Sequence, residues 1–150
     1  MGARLEEVAG MFRKAPFVAE LGVEAEAMGE GRCESRLQLG ERHLQHDGYV
    51  HAGVIASMAD HSAGAAATTL VKDGHIVLTA EFKISLLRAA RGDCLRCVAV
   101  VIKPGSRITF AEAEVHCETG TTARLVAKAS VSLAVVPDPR LGDDSRGAAG

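Results

Sequence analysis

At 150 residues the chain has the length of one ordinary domain, and 47% apolar with 24% charged residues is a globular composition. A formal net charge of −2 argues against a chain built mainly to grip nucleic acid, which would carry a strongly basic face. Aromatic residues make up only 3%, Trp is absent and there are 16 glycines, so the expected core is Val, Leu, Ile and Ala with closely packed backbones.

No apolar run approaches the ~18 residues that span a bilayer. The opening MGARLEEVAGMFRK carries acids early and lacks the apolar centre of a signal peptide. Glu6 stands where a myristoylation motif on Gly2 wants Ser or Thr. Four cysteines without a secretory signal read as reduced, buried thiols. The expectation is a cytoplasmic protein with no membrane and no nucleic-acid partner.

Leu5, Val8, Ala9 and Phe12 fall at i, i+3, i+4 and i+7 and predict a short amphipathic helix, closed by Pro16 and Gly22. From Val23 to Leu39 the pattern alternates, with Cys33, Ser35, Leu37 and Leu39 on one face and a turn at Gly29–Gly31. Glu41 to Tyr49 is polar, holds His43, His46 and Asp47, and reads as a solvated loop. Gly53 to Leu70 is apolar nearly all round and predicts a buried helix. Four strands follow: Ile76–Leu86, Asp93–Lys103, Arg107–Glu118 and Thr121–Val136, punctuated by Gly92, Pro104–Gly105 and Gly120. The expected organisation is one domain over residues 1–136 and a disordered tail over 137–150. One sheet around one helix leaves an edge strand and an open face, so self-association is expected.

The segment Gln45-His-Asp-Gly-Tyr-Val-His51-Ala-Gly53-Val-Ile-Ala-Ser-Met-Ala-Asp60-His-Ser-Ala-Gly64 carries the chemistry. Asp60 interrupts an apolar helix, where an unpaired carboxylate is expensive. His51-Ala-Gly leads into the N-terminus of that helix, whose free N–H groups favour an anion or a polarised carbonyl. From Gly53, Asp60 lies ~10 Å along the axis, so one chain cannot bring it to its own helix terminus, whereas two antiparallel copies could. A carboxylate facing backbone donors suits acyl transfer.

This segment resembles the signature of the hotdog-fold acyl-CoA thioesterases of the phenylacetate-pathway (PaaI-like) type. His51, Gly53, Met58-Ala59-Asp60 and Gly64 stand in its places. The similarity continues through Leu78-Thr-Ala-Glu-Phe-Lys-Ile-Ser-Leu-Leu-Arg-Ala-Ala-Arg-Gly92 and covers roughly residues 5 to 136. It implies an α+β hotdog fold, an antiparallel β-sheet wrapped around one long central helix with a short N-terminal helix. It implies hydrolysis of a small-to-medium acyl- or aryl-CoA, with Asp60 as base or nucleophile and the Ala52 amide polarising the carbonyl. His51 would orient the loop, Gln45 stands where many relatives have Asn, and Thr79 falls where some carry a water-holding Ser or Thr. Gly53, Ser57, Gly64, Arg88 and Arg107 complete the implied substrate-binding set, with Arg91 and Lys103 as further cations for the CoA phosphates. Ala52 replaces the first Gly of the family pair, Gln45 is longer than Asn by a methylene, and Ala89 stands where relatives often have Pro.

Other readings compete. Asp60 could be a structural acid bonded to Ser57 or to a neighbouring strand, and His61 a packing or interface residue. The spacing of His43, His46, His51 and Asp60 matches no established metal pattern, and Cys94 and Cys97, three apart on a strand, point to opposite faces. No metal and no cofactor beyond the CoA of the substrate is expected. The alternatives in function are a hotdog enoyl-thioester hydratase or dehydratase, and a non-catalytic acyl-CoA-binding dimer or tetramer.

Overall fold

A computed structural model describes residues 2–142. Two helices, α1 (Ala3–Lys14) and α2 (Pro16–Leu21), precede the hairpin β1 (Glu24–Gly29) and β2 (Arg32–Gln38). A 3-10 turn (Glu41–His43) leads to α3 (Ala52–Thr68), then β3 (His75–Leu86), β4 (Cys94–Lys103), β5 (Ile108–Thr119) and β6 (Thr122–Pro137). The six strands form one sheet in the order β1-β2-β4-β5-β6-β3, antiparallel throughout. α3 lies across its concave face against β2, β4, β5, β6 and β3. This is the hotdog architecture.

Small side chains explain the close seating of α3. Ala59, Ala63, Ala65, Ala66 and Ala67 are fully buried, and opposite them the sheet offers Cys33, Ser35, Cys97, Ala99, Ala113 and Ala129. Leu37, Met58, Leu95 and Leu133 fill the remaining volume, which is how a core with so few aromatics reaches native packing density. One polar pin crosses this layer, where the Ser62 hydroxyl of α3 meets the Ser35 hydroxyl of β2 at 2.8 Å. β5 and β6 bury alternate residues, Ala111, Ala113 and Val115 on the one and Ala127, Ala129, Val131 and Leu133 on the other.

Several local expectations are corrected. Pro16 does not close the N-terminal helical region but opens α2 at its first turn, where a missing N–H is harmless and the fixed φ helps; Gly22, at φ 87°, is the true stop. The 41–49 loop is not simply solvated, since His43 is buried and accepts from the Gly40 amide at Nδ1 while Nε2 donates to the Leu21 carbonyl at 2.7 Å. α3 is not covered all round either: Gly53, Ala56, Ser57, Asp60 and Gly64 form a strip that the single chain leaves partly open. Of the expected tail, Pro137 still pairs with His75 and a 3-10 turn covers Pro139–Leu141; residues 143–150 lie outside the described residues.

Candidate active site

His51 caps α3. Its Nδ1 accepts from the Gly53 amide at 2.8 Å, and the Val54 amide donates to its carbonyl at 3.0 Å. A neutral ring that accepts at Nδ1 carries its proton on Nε2, so His51 presents a donor outward. His51 is itself seated by its own amide, which donates to the buried His43 carbonyl at 2.9 Å. With Gly53 and Val54 engaged, the amide left at this helix end without an acceptor among the described residues is that of Ala52. That exposed N–H has the helix dipole behind it.

An open cleft of 400 Å³ faces this amide, with Gln45, Tyr49, His51, Ala52, Leu86 and Arg88 among its walls. Gln45 does not reach out into the cleft: its Oε1 accepts from the Asp47 amide and, at 3.4 Å, from the Tyr49 amide, so the side chain holds its own turn.

Asp60 sits further along the open strip of α3, half-buried, and its Oδ1 accepts from the Thr79 hydroxyl at 2.7 Å. The costly unpaired acid expected from the sequence is therefore paired, and with β3 rather than with Ser57, whose hydroxyl donates to the Gly53 carbonyl at 2.6 Å. Thr79 faces inward opposite Leu133, and one extra residue, Ala80, is inserted before Glu81 pairs with Ser132. Such a bulge turns the strand locally and aims the preceding side chain. Phe82 and Leu86 continue the inward face of β3 yet are 40% and 50% exposed, because β3 runs past the cover of α3. His61, beside Asp60, packs edge-on to Phe12 with ring centroids 4.5 Å apart. Burial pushes its imidazole below the ordinary value, and the charge of Asp60 opposes that shift.

The arrangement has a backbone donor and a hydroxyl-held carboxylate on one open helical strip. The family model of the thioesterase superfamily matches residues 47–124, the stretch that runs from the loop before α3 into the start of β6. The chain belongs to the thioesterase superfamily. It is an enzyme of the thioester-hydrolase class. A Pseudomonas aeruginosa protein named as an esterase is 30% identical over 122 residues, covering 80% of this chain and 88% of that one. The crystal structure of a thioesterase family protein from Silicibacter pomeroyi superposes with a TM-score of 0.85 at 29% identity, covering 89% of this chain and 98% of its own. A phenylacetic acid degradation-related thioesterase from Ralstonia eutropha shares the fold, with a TM-score of 0.73 at 24% identity over 85% of this chain and 98% of its own.

In this thioesterase the remaining sequence-derived residues separate. Arg88 joins the cleft at the start of α3. Gly64 lies further along the partly open strip, about three turns from Ala52, where a Cβ would stand 3.9 Å from Leu133 Cδ2. Arg107 and Lys103 flank the β4–β5 connection, at the sheet end where the C-terminal end of α3 bonds Gly31 through Thr69. The structure does not bring these two cations to the Ala52 amide of the same chain. The four cysteines are all buried and unpaired. Cys33 and Cys97 lie by the Ser35–Ser62 pin, and burial pushes both thiols up to about 12. His43 was not legible as a structural residue, because nothing in the sequence separates it from His46 in the same loop, which pairs at the surface with Asp47. No helix among the described residues is long and apolar enough to cross a membrane.

Proposed function

We propose that this thioesterase hydrolyses small-to-medium acyl- or aryl-CoA esters at a site completed by a second copy of the chain. The observation that carries the reading is the pairing of an unengaged Ala52 amide with a hydroxyl-held Asp60 on the same open strip of α3. The two stand eight residues apart, about 12 Å along the axis, too far to act on one carbonyl from one helix. Antiparallel apposition of two such strips would set the Asp60 of each protomer against the Ala52 amide of the other. The exposed inward face of β3, with Phe82 and Leu86, supports that apposition, since a long apolar edge strand is a template for pairing.

In the reaction the thioester carbonyl oxygen accepts from the Ala52 N–H. As general base, Asp60 takes a proton from water while the water oxygen attacks the carbonyl carbon. The oxyanion is held by the amide dipole, and its collapse breaks the C–S bond. The departing CoA thiolate recovers the proton from the Asp60 carboxyl, leaving free acid and CoA. As nucleophile, Asp60 would instead form an acyl-carboxylate anhydride that water then opens. His51 fixes the amide by capping its helix and offers Nε2–H to the sulfur side. No cofactor beyond the CoA of the substrate enters either route.

The test is thiol release from a panel of acyl- and aryl-CoA esters by wild type and Asp60→Asn. Wild-type turnover with a loss on the order of 10²-fold or more in the variant is the expected result for removing a positioned base or nucleophile. Equal turnover by both overturns the role of Asp60. Absence of turnover with saturable CoA binding would make the protein a binder, and hydration of an enoyl-CoA without thiol release would make it a hydratase.

A further inference from the structure

The Ala52 amide stands at the end of a long connection, residues 39–51, between β2 and α3. Of the side chains in this loop, only Val50 and His43 are buried, 5% and 2% exposed. At Val50 the loop is tied to the segment after β3, its amide donating to the Ala90 carbonyl at 2.9 Å. His43 ties it to the N-terminal helices instead. Its Nε2 donates at 2.7 Å to the carbonyl of Leu21, the last residue of α2. Arg42 Nη2 donates to the same carbonyl at 3.1 Å, so α2 holds the loop through two successive side chains.

From that anchor a continuous series of hydrogen bonds leads to the start of α3. The His43 ring is held at both nitrogens, with the Gly40 amide donating to Nδ1 at 3.0 Å. Its carbonyl accepts the His51 amide at 2.9 Å, and His51 Nδ1 accepts the Gly53 amide at 2.8 Å. Ala52 lies between these last two bonded residues, so its N–H direction is set by them. An oxyanion donor works only at about 2.7–3.1 Å from the developing charge, and a misplacement of about 1 Å can lower the rate on the order of 10²-fold. A loop of this length keeps such precision only where something buried pins it. The family match begins at residue 47, so His43 and its anchor at Leu21 both lie before it.

We propose that His43 is a positioning residue for the Ala52 amide, with the C-terminus of α2 as its anchor. The proposal rests on the thioesterase reading and deepens it. The ring touches no substrate and acts through its own backbone and His51. The N-terminal helices thereby serve the reaction as well as the core, because the Leu21 carbonyl fixes where the oxyanion donor stands.

The experiment compares three substitutions. His43→Phe keeps a ring and loses both of its hydrogen bonds. His43→Asn keeps a polar group beside the Gly40 amide but is too short to reach Leu21, whereas His43→Gln keeps a donor of nearly the original reach. Val115→Ala, a fully buried position on β5, serves as a control for lost stability alone. With one CoA ester, measured well below each melting temperature, Phe and Asn are expected to lower kcat about tenfold with KM within about twofold of wild type. Gln is expected to recover most of kcat, and Val115→Ala to keep it while melting lower. Wild-type kcat in both Phe and Asn, or equal kcat in Asn and Gln, overturns the proposal; the second comparison stands even if Phe does not fold. If wild type turns over no ester, the thioesterase reading fails on its own, and amide hydrogen exchange still decides the anchor. Exchange at His51 and Gly53 about tenfold faster in His43→Asn than in His43→Gln, with β5 unchanged, upholds it. Equal exchange in the two overturns it.

Discussion

Replacing Thr79 by Val removes one hydroxyl and keeps the shape of the side chain. The wild-type hydroxyl donates to Asp60 Oδ1 at 2.7 Å and is the partner that β3 supplies to this carboxylate. Hydrogen bonds to charged groups contribute about 1.5–3 kcal/mol. Asp60 is only half-buried in the protomer, so water partly substitutes, and the loss is set at about 1–2 kcal/mol. If the bond orients Asp60 during proton transfer, that loss appears in the transition state and lowers kcat by about 5- to 30-fold. KM should stay close to wild type, since the hydroxyl touches the acid and not the acyl-CoA. Thr79→Ser keeps the donor and should recover most of kcat, while Thr79→Ala should resemble Val. Steady-state thiol release with one CoA ester reads all of these. A Val variant with wild-type kcat, or a Ser variant as impaired as Val, would refute the positioning role.

Three further outcomes follow from buried groups. His61 is held below its ordinary 6.5 by burial; the unfolded chain therefore takes up the proton first, so its contribution to stability is intact above pH 6.5 and declines as pH falls toward the folded value. Urea titrations at pH 7.5 and 5.5 should show a smaller acid loss for His61→Gln than for wild type, and equal losses would contradict the assignment. Cys33 and Cys97 are pushed from 9.0 to about 12, so the folded chain keeps protons that the unfolded chain releases, and stability should fall as pH rises above 9. In the native state the four buried thiols should resist an aromatic disulfide reagent and react fully in denaturant; rapid native reaction of Cys33 or Cys97 would refute their burial.

The sheet was legible because period-2 alternation survives in strands with one wet face. Glu112, Glu114 and His116 alternate in sequence with Ala113, Val115 and Cys117, and the structure buries the latter three. α3 was legible as a core helix from its alanines, but a count of apolar residues cannot see a missing neighbour. Ala56 and Gly53 read as buried when they are in fact the open strip. Gln45 illustrates a second limit: a side-chain amide bonds backbone N–H groups two and four residues on whenever the local turn presents them, and only coordinates show that Asp47 and Tyr49 do. The bulge at Ala80 is equally invisible in a strand with no Gly or Pro to mark it, yet it sets the aim of Thr79.

The open strip also accounts for the small residues that flank the proposed reacting groups. Gly53, Ala56, Ser57 and Gly64 surround Asp60 at one- and two-turn spacings along α3. On the covered side of the helix, small residues let the sheet approach. On the uncovered side the same economy of side chain keeps the Ala52 amide and the Asp60 carboxylate within reach of something that is not part of the chain. A larger residue at Ala56 would stand between the two, and a larger one at Gly53 would press on the His51 ring, since a Cβ there would already lie 3.0 Å from Nδ1. The helix is therefore small on both sides for different reasons: one side fits a sheet already present, and the other leaves room for a substrate and for the second copy that would complete the site.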